Sequence, residues 1–268
     1  VVQRTPSTID HRNNQPIDPE WYASQKPGWQ QERIANFHHA AMERLSPGEP
    51  DLVQDIWTEI SRNLSAELEA EGWPDISMEE YMARREVMDY RVMERLRARC
   101  DVVKDPATAE ALKPYYRQFC KRPCFHNEYL ETFNRPNVTL VDTKGKGVDR
   151  VTKKGVVVGG QEYEVDCLIY ASGFEVGTDY SRRAGLTMIG RSGATLAEKW
   201  STGIRTVHGM HVRDFPNAFI MSNPQAGFTA SYPHLLDEQA KHIAYILTNE
   251  RAKSARTIEA SEAGEDAW

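Results

Sequence analysis

No Gly-x-Gly-x-x-Gly occurs anywhere in the 268 residues, so the chain carries no complete glycine fingerprint of the kind that seats a dinucleotide pyrophosphate at a helix start. The nearest approach, Gly145-Lys-Gly147-Val-Asp-Arg150, lacks the third glycine and is not followed by a helical pattern. No apolar stretch approaches the roughly 20 residues of a membrane span. Positive charge is not in excess either. With 33 Lys and Arg against 39 Asp and Glu the net charge is −6, which argues against a nucleic-acid partner. Four cysteines, at 100, 120, 124 and 167, are no disulfide framework for a chain this long. The opening Val1-Val2-Gln3 shows neither the n-region nor the h-region of a secretory signal, so a reducing, cytoplasmic setting is the default expectation. The first residue is not Met, Val1-Val2 reads as a strand already in progress, and Glu265-Asp-Ala-Trp268 offers no obvious finish. These ends read as those of an internal fragment of a longer protein.

What is present is ordinary for a soluble globular protein, with 40% hydrophobic and 27% charged residues and length enough for one large or two modest domains. After the Val1–Ser7 strand end and its Pro6 turn, a polar loop leads into a helical region from Trp21 to about Asp105. Ile34, Phe37, Ala41 and Leu45 carry the three-to-four spacing of a helix over 30–45. Asp51 can cap a second helix reaching about Ala70, and Gly72-Trp-Pro74 breaks it. Ser77 followed by Glu80 is a capping box for a helix from Met78 to about Val103, with Met82, Val87, Met88, Val92, Met93 and Leu96 inside. Its arginines are interleaved with Glu86, Asp89 and Glu94, the pattern of a solvated face. Strands are expected at 138–141, 148–152, 155–158 and 161–165.

The stretch Tyr163-Glu-Val-Asp-Cys-Leu-Ile-Tyr-Ala-Ser-Gly-Phe-Glu175 then ends a short apolar run on turn residues, the pattern of a buried strand in a parallel sheet. In open α/β sheets the ligand crevice lies beyond the carboxyl ends of such strands. A second buried strand is expected at Ala218–Met221, ending at Asn223-Pro224-Gln225-Ala226-Gly227, and a helix from Pro233 to Asn249 with Leu236, Ile243, Ile246 and Leu247 inward.

Four of these stretches together resemble the class B flavoprotein monooxygenases, and in particular the Baeyer–Villiger monooxygenases. They are Val1-Val2-Gln3-Arg4-Thr5-Pro6; Lys121-Arg122-Pro123 with Tyr129 and Phe133-Asn134-Arg135-Pro136-Asn137-Val138; Ala171-Ser172-Gly173-Phe174, with Ser172 where the family has Thr; and Trp200 to Gly203 with Phe215-Pro216-Asn217. The resemblance implies an α/β fold made of two incomplete Rossmann-like dinucleotide-binding domains with a helical insertion. Residues 1–20 and 106–170 would be the later part of an NADPH-binding domain, 21–105 the insertion, and 171–268 part of an FAD-binding domain.

The same resemblance implies chemistry. NADPH reduces FAD, O2 adds to give a C4a-peroxyflavin, and the peroxide attacks a ketone to yield an ester or lactone. It makes Arg4 the catalytic arginine beside flavin and nicotinamide, where a permanently charged fork of donors could face a developing oxyanion. Gln3, Thr5, Ala171, Ser172, Gly173, Phe174, Asn223, Pro224 and Gln225 would touch the cofactors. Asn223 replaces the family's glycine, which puts close backbone approach there in question. Phe228, Thr229, Ala230 and Ser231 would form a bulge toward the substrate. An N- or S-oxygenating flavin enzyme, and a non-catalytic truncated relative serving as an interaction module, are the alternatives. Cys120, Cys124 and His126 have no second cysteine pair near them and are not expected to hold zinc. Alone, without the glycine fingerprints, the chain is not expected to turn over.

Overall fold

The computed structural model describes residues 1–173, 180–221, 225–226 and 229–268. They form two compact units, Val1–Tyr170 and Ala171–Trp268.

The first unit begins with β1 (Val2–Gln3) and β2 (Ile9–Asp10), followed by the helices α1 (Pro19–Ser24), α2 (Trp29–Ala41), α3 (Glu59–Ala70), α4 (Met78–Arg99) and α5 (Pro106–Ala111). Then come β3 (Cys124–Phe125), α6 (Tyr129–Thr132), β4 (Val141–Asp142), β5 (Arg150–Val151), β6 (Gly155–Val158) and β7 (Gln161–Glu164). Strands β1 and β4 pair in parallel, as do β2 and β3, so segments more than a hundred residues apart are joined by two short ladders. β5, β6 and β7 make an antiparallel meander. Gly155 is required there, because a Cβ would stand 1.9 Å from the Tyr163 carbonyl oxygen on the neighbouring strand.

The main core of this unit is helical. Ile56, Ile60, Leu64 and Leu68 interlock with Met88, Val92, Met93 and Leu96 of α4. Both buried methionines are therefore core filling. Ser77 caps α4 by accepting from the Glu80 amide, as expected. Other expectations shift. Asp51 does not start a helix; its carboxylate takes the Val53 and Gln54 amides, the Thr58 hydroxyl and Arg62, and so organises a loop that delays α3 to Glu59. Met82 and Val87 are exposed, since they fall outside the α4 face that α3 covers.

The central expectation fails in a revealing way. Residues 165–170 are not a strand, and Ile169 and Tyr170 are 83% and 73% exposed. A parallel strand exists only where neighbours accept its hydrogen bonds and cover both faces, and past the Val165 amide, which donates to the Lys154 carbonyl at 2.9 Å, no described segment does so here. Ala218–Met221 likewise forms no strand, although Ile220 is buried and its amide bonds to the Met210 carbonyl.

The second unit contains α7 (Tyr180–Ala184), α8 (Leu196–Lys199), α9 (Tyr232–Ala252) and α10 (Glu262–Ala267). Thr195 and Glu198 form a reciprocal capping box on α8, and Leu196, Val212, Phe215 and Ile220 make the core. Lys199 reaches the buried carboxylate of Glu265 on α10 at 2.9 Å. On α9, Leu236, Ile243 and Ile246 are half-buried, whereas Leu247 is exposed, contrary to its expected inward position.

Candidate functional site

The turn after β1 is held from both sides. The Thr143 amide donates to the Gln3 carbonyl and the Gly145 amide to the Arg4 carbonyl, each at 2.8 Å. Gln3 is buried, and its side-chain amide donates to the Ala111 carbonyl at 2.8 Å. Thr5 is exposed and offers its carbonyl inward. The Lys121 ammonium, 116 residues along the chain, donates to that carbonyl at 2.9 Å and to the Pro6 carbonyl at 2.8 Å. Tyr116 donates its hydroxyl to the same Pro6 carbonyl at 3.0 Å.

Arg4 thus projects to solvent from a backbone locked at four carbonyls. Burial, and then the charge of Arg4, lower the pKa of Lys121, so the two cations lie within electrostatic reach of one another. Neither pairs with a carboxylate among the described residues. Two neighbouring cations left unneutralised are an arrangement that attracts an anion. Lys121 was legible only as part of the Lys-Arg-Pro motif. Its role was not, because nothing local says that its ammonium reaches back to the Arg4 turn.

Arg122 follows, also without a carboxylate partner among the described residues. Its guanidinium lies 5.6 Å from the ring centre of Trp57. Phe119 stacks on Trp57 at 5.5 Å with an interplanar angle of 21°, and Phe37 meets it edge-on at 5.9 Å. Phe119 holds φ at +66°, a left-handed conformation that costs an aromatic residue on the order of 1–2 kcal/mol.

In the second unit Ala171, Ser172 and Gly173 are exposed, with Gly173 at φ +94° and open space around it. Conformation, not crowding, is what asks for glycine there. Phe174, Asn223, Pro224 and Phe228 lie outside the described residues. Gln225, also left-handed at φ +52°, accepts from the Thr206 amide at 2.5 Å and its hydroxyl at 2.8 Å. Thr229 is half-buried and its hydroxyl accepts from the Ser231 amide, while Ala230 and Ser231 are buried.

Beside Ala226 opens a cavity of about 540 Å³ lined by His208, Met210, Leu235, His242 and Tyr245. The rings of His208 and His242 are 5.0 Å apart. Burial, with His208 and His242 nearby, lowers the pKa of His211. Among the described residues no group of three His, Cys, Asp or Glu could hold a metal ion, and no helix is long and apolar enough to cross a membrane.

Known proteins supply the context. No protein-family model matches the chain. Neopentalenolactone D synthase of Streptomyces avermitilis is 51% identical over 271 residues, matching 100% of this chain and 45% of its own length. Baeyer-Villiger monooxygenase ATR8 of Stachybotrys chlorohalonatus is 47% identical over 272 residues, matching 100% of this chain and 43% of its own. The chain is a homologue of the Baeyer–Villiger monooxygenases.

The solved polycyclic ketone monooxygenase of Thermothelomyces thermophila superposes with a TM-score of 0.83 at 37% identity, over 100% of this chain and 44% of that one. OTEMO in complex with FAD and NADP shares the fold, with a TM-score of 0.72 at 23% identity over 100% of this chain and 50% of that one. The α/β fold expected from the sequence therefore stands. The chain spans less than half the length of the curated relatives it matches.

Proposed function

We propose that this chain forms part of a flavin-dependent monooxygenase that inserts one oxygen atom from O2 into a ketone, giving an ester or lactone, with NADPH as reductant and FAD as the flavin. In that reading 1–20 and 106–170 belong to the NADPH-binding domain, 21–105 is its helical insertion, and 171–268 belongs to the FAD-binding domain. The lactone synthase and the polycyclic ketone enzyme among its relatives favour a polycyclic ketone as substrate. The enzyme would work in the reducing cytoplasm.

The observation that carries the reading is the pair Arg4 and Lys121, unneutralised and fixed on one turn. This pair fits the anionic part of a dinucleotide. The glycine loops that cradle pyrophosphates are not in this sequence, so the chain supplies a cationic edge and is inactive by itself. Reduced FAD, when bound, supplies the activation of O2.

The chain's own residues then hold and orient. Gln3 and Thr5 keep the turn in place, and Arg4 presents its guanidinium either to a cofactor phosphate or to charge developing at the reacting centre. Arg122 is a second guanidinium available for the same work. Ala171–Phe174 and Asn223–Gln225 provide backbone for the flavin, and Phe228–Ser231 the wall toward the substrate. Of that wall, Thr229 is the described residue with a side chain partly open to solvent.

The test is a chimera in which this chain replaces the matching 271 residues of neopentalenolactone D synthase. It should load flavin, oxidise NADPH in the presence of ketone, and incorporate oxygen from labelled O2. Arg4→Ala and Lys121→Met should each raise KM for NADPH about tenfold, equivalent to about 1.4 kcal/mol. A fall in kcat with unchanged KM would instead put Arg4 at the reacting centre. Variants kinetically identical to the parent chimera would refute the assignment of this edge.

A further inference from the structure

The Lys-Arg-Pro motif presents two cations that are held by different means. Lys121 is anchored to backbone carbonyls. Arg122 instead rests on an aromatic shelf, Trp57 backed by Phe119 and flanked by Phe37. The contrast with other arginines of this unit is chemical. Arg62, Arg84, Arg85 and Arg95 are each tied to a carboxylate, which fixes them and also cancels their charge. An indole face fixes a guanidinium by its quadrupole and leaves the net positive charge intact. Both planar groups can stack, so one orientation is selected.

The shelf is also built at a cost. Phe119 sits in the left-handed region to reach Trp57, and strain of this kind persists only where surrounding contacts impose it. Those contacts are made by the preceding residue, Gln118. The Gln118 amide donates to the buried Asp89 carboxylate at 2.9 Å, and the Gln118 side chain donates to the Ile56 carbonyl, immediately before Trp57.

Resting on the reading given under the proposed function, we propose that Trp57, contributed by the helical segment, is a positioning residue that holds Arg122 oriented and charged for the anionic part of the nicotinamide dinucleotide. The segment 21–105 then tunes cofactor affinity through an aromatic face rather than through a direct contact of its own.

The experiment uses the chimera described under the proposed function, which restores the glycine loops, as parent, with NADP⁺ as probe and two readouts. Arg122 side-chain proton resonances should be shifted upfield by the Trp57 ring current. That shift should vanish in Trp57→Leu and persist in Trp57→Phe. By titration, Trp57→Leu should weaken NADP⁺ binding about threefold to tenfold, the range expected for a lost cation–π contact. Trp57→Phe should restore most of it, and Trp57→Leu combined with Arg122→Gln should bind no worse than Arg122→Gln alone.

If Trp57→Leu binds NADP⁺ like the parent, or if its loss adds in full to that of Arg122→Gln, the positioning role is overturned while the cofactor reading stands. An unshifted Arg122 in the parent overturns the shelf itself. Should the parent not bind NADP⁺ at all, the cofactor reading falls first and this inference with it.

Discussion

Replacing Asp10 by Asn tests the joint between the helices and the short parallel ladders. Asp10 lies at the end of β2, buried, and accepts both nitrogens of the Arg95 fork at 2.9 Å each, 85 residues away on α4. It also accepts the His11 amide at 2.7 Å, and Arg99 stands 3.7 Å off. Burial pushes this carboxyl up. The hydrogen bonds from Arg95 and His11, with the charges of Arg95 and Arg99, outweigh that and hold it below the usual carboxylate range.

Asn keeps the size and the acceptor for His11 but removes the charge and half of the bidentate pair. A charge-assisted hydrogen bond contributes about 1.5–3 kcal/mol, and breaking a buried pair outright costs about 3–5 kcal/mol. Arg95 is partly exposed and retains Glu59, so the lower end applies, about 3 kcal/mol. Because the folded carboxyl is depressed, its contribution is complete above the unfolded value of about 3.9 and is lost as pH falls through the folded value. Urea unfolding of the first unit should therefore separate parent and Asp10→Asn by a constant gap from pH 7 to about pH 4, closing below that. A gap that stays constant to pH 2, or one under about 0.5 kcal/mol at pH 7, would refute the argument.

Two further outcomes are expected. Gly155→Ala should force β6 and β7 apart, because the new methyl would meet the Tyr163 carbonyl oxygen at 1.9 Å, and should destabilise the first unit by about 3 kcal/mol in thermal unfolding. Native alkylation with iodoacetamide at pH 8, mapped by mass spectrometry, should label the exposed Cys120, Cys124 and Cys167 and spare Cys100, whose thiol is pushed up to about 11 by burial. Labelling of Cys100 at the rate of the other three would contradict the burial argument.

Much of the candidate site could be named from sequence, since the motifs around Arg4, Lys121, Ser172 and Phe215 are local strings of uncommon residues. The α4 cap at Ser77 was legible for the same reason, because cap and capped amide are three residues apart. Where the structure departs from the sequence pattern, the deciding partners lie outside the window in which the pattern is read. Asp51 looked like a helix start, and one of its oxygens does take the Val53 and Gln54 amides, yet the other is held by Thr58 and Arg62, seven and eleven residues on, which closes a loop instead. The run 165–170 has the composition of a buried strand, but strand character depends on partners, and among the described residues only its first amide, that of Val165, finds one, the Lys154 carbonyl at 2.9 Å.

Composition, caps and motif order determined the class of this protein, because those signals act within a few residues or as the order of short strings. Tertiary structure decided how the cationic edge is assembled. Only the folded chain brings Lys121 under the Arg4 turn and sets Arg122 on Trp57. The reason is physical. A side chain's partner across a hundred residues is chosen by the packing of helices and ladders, and no local pattern encodes that choice.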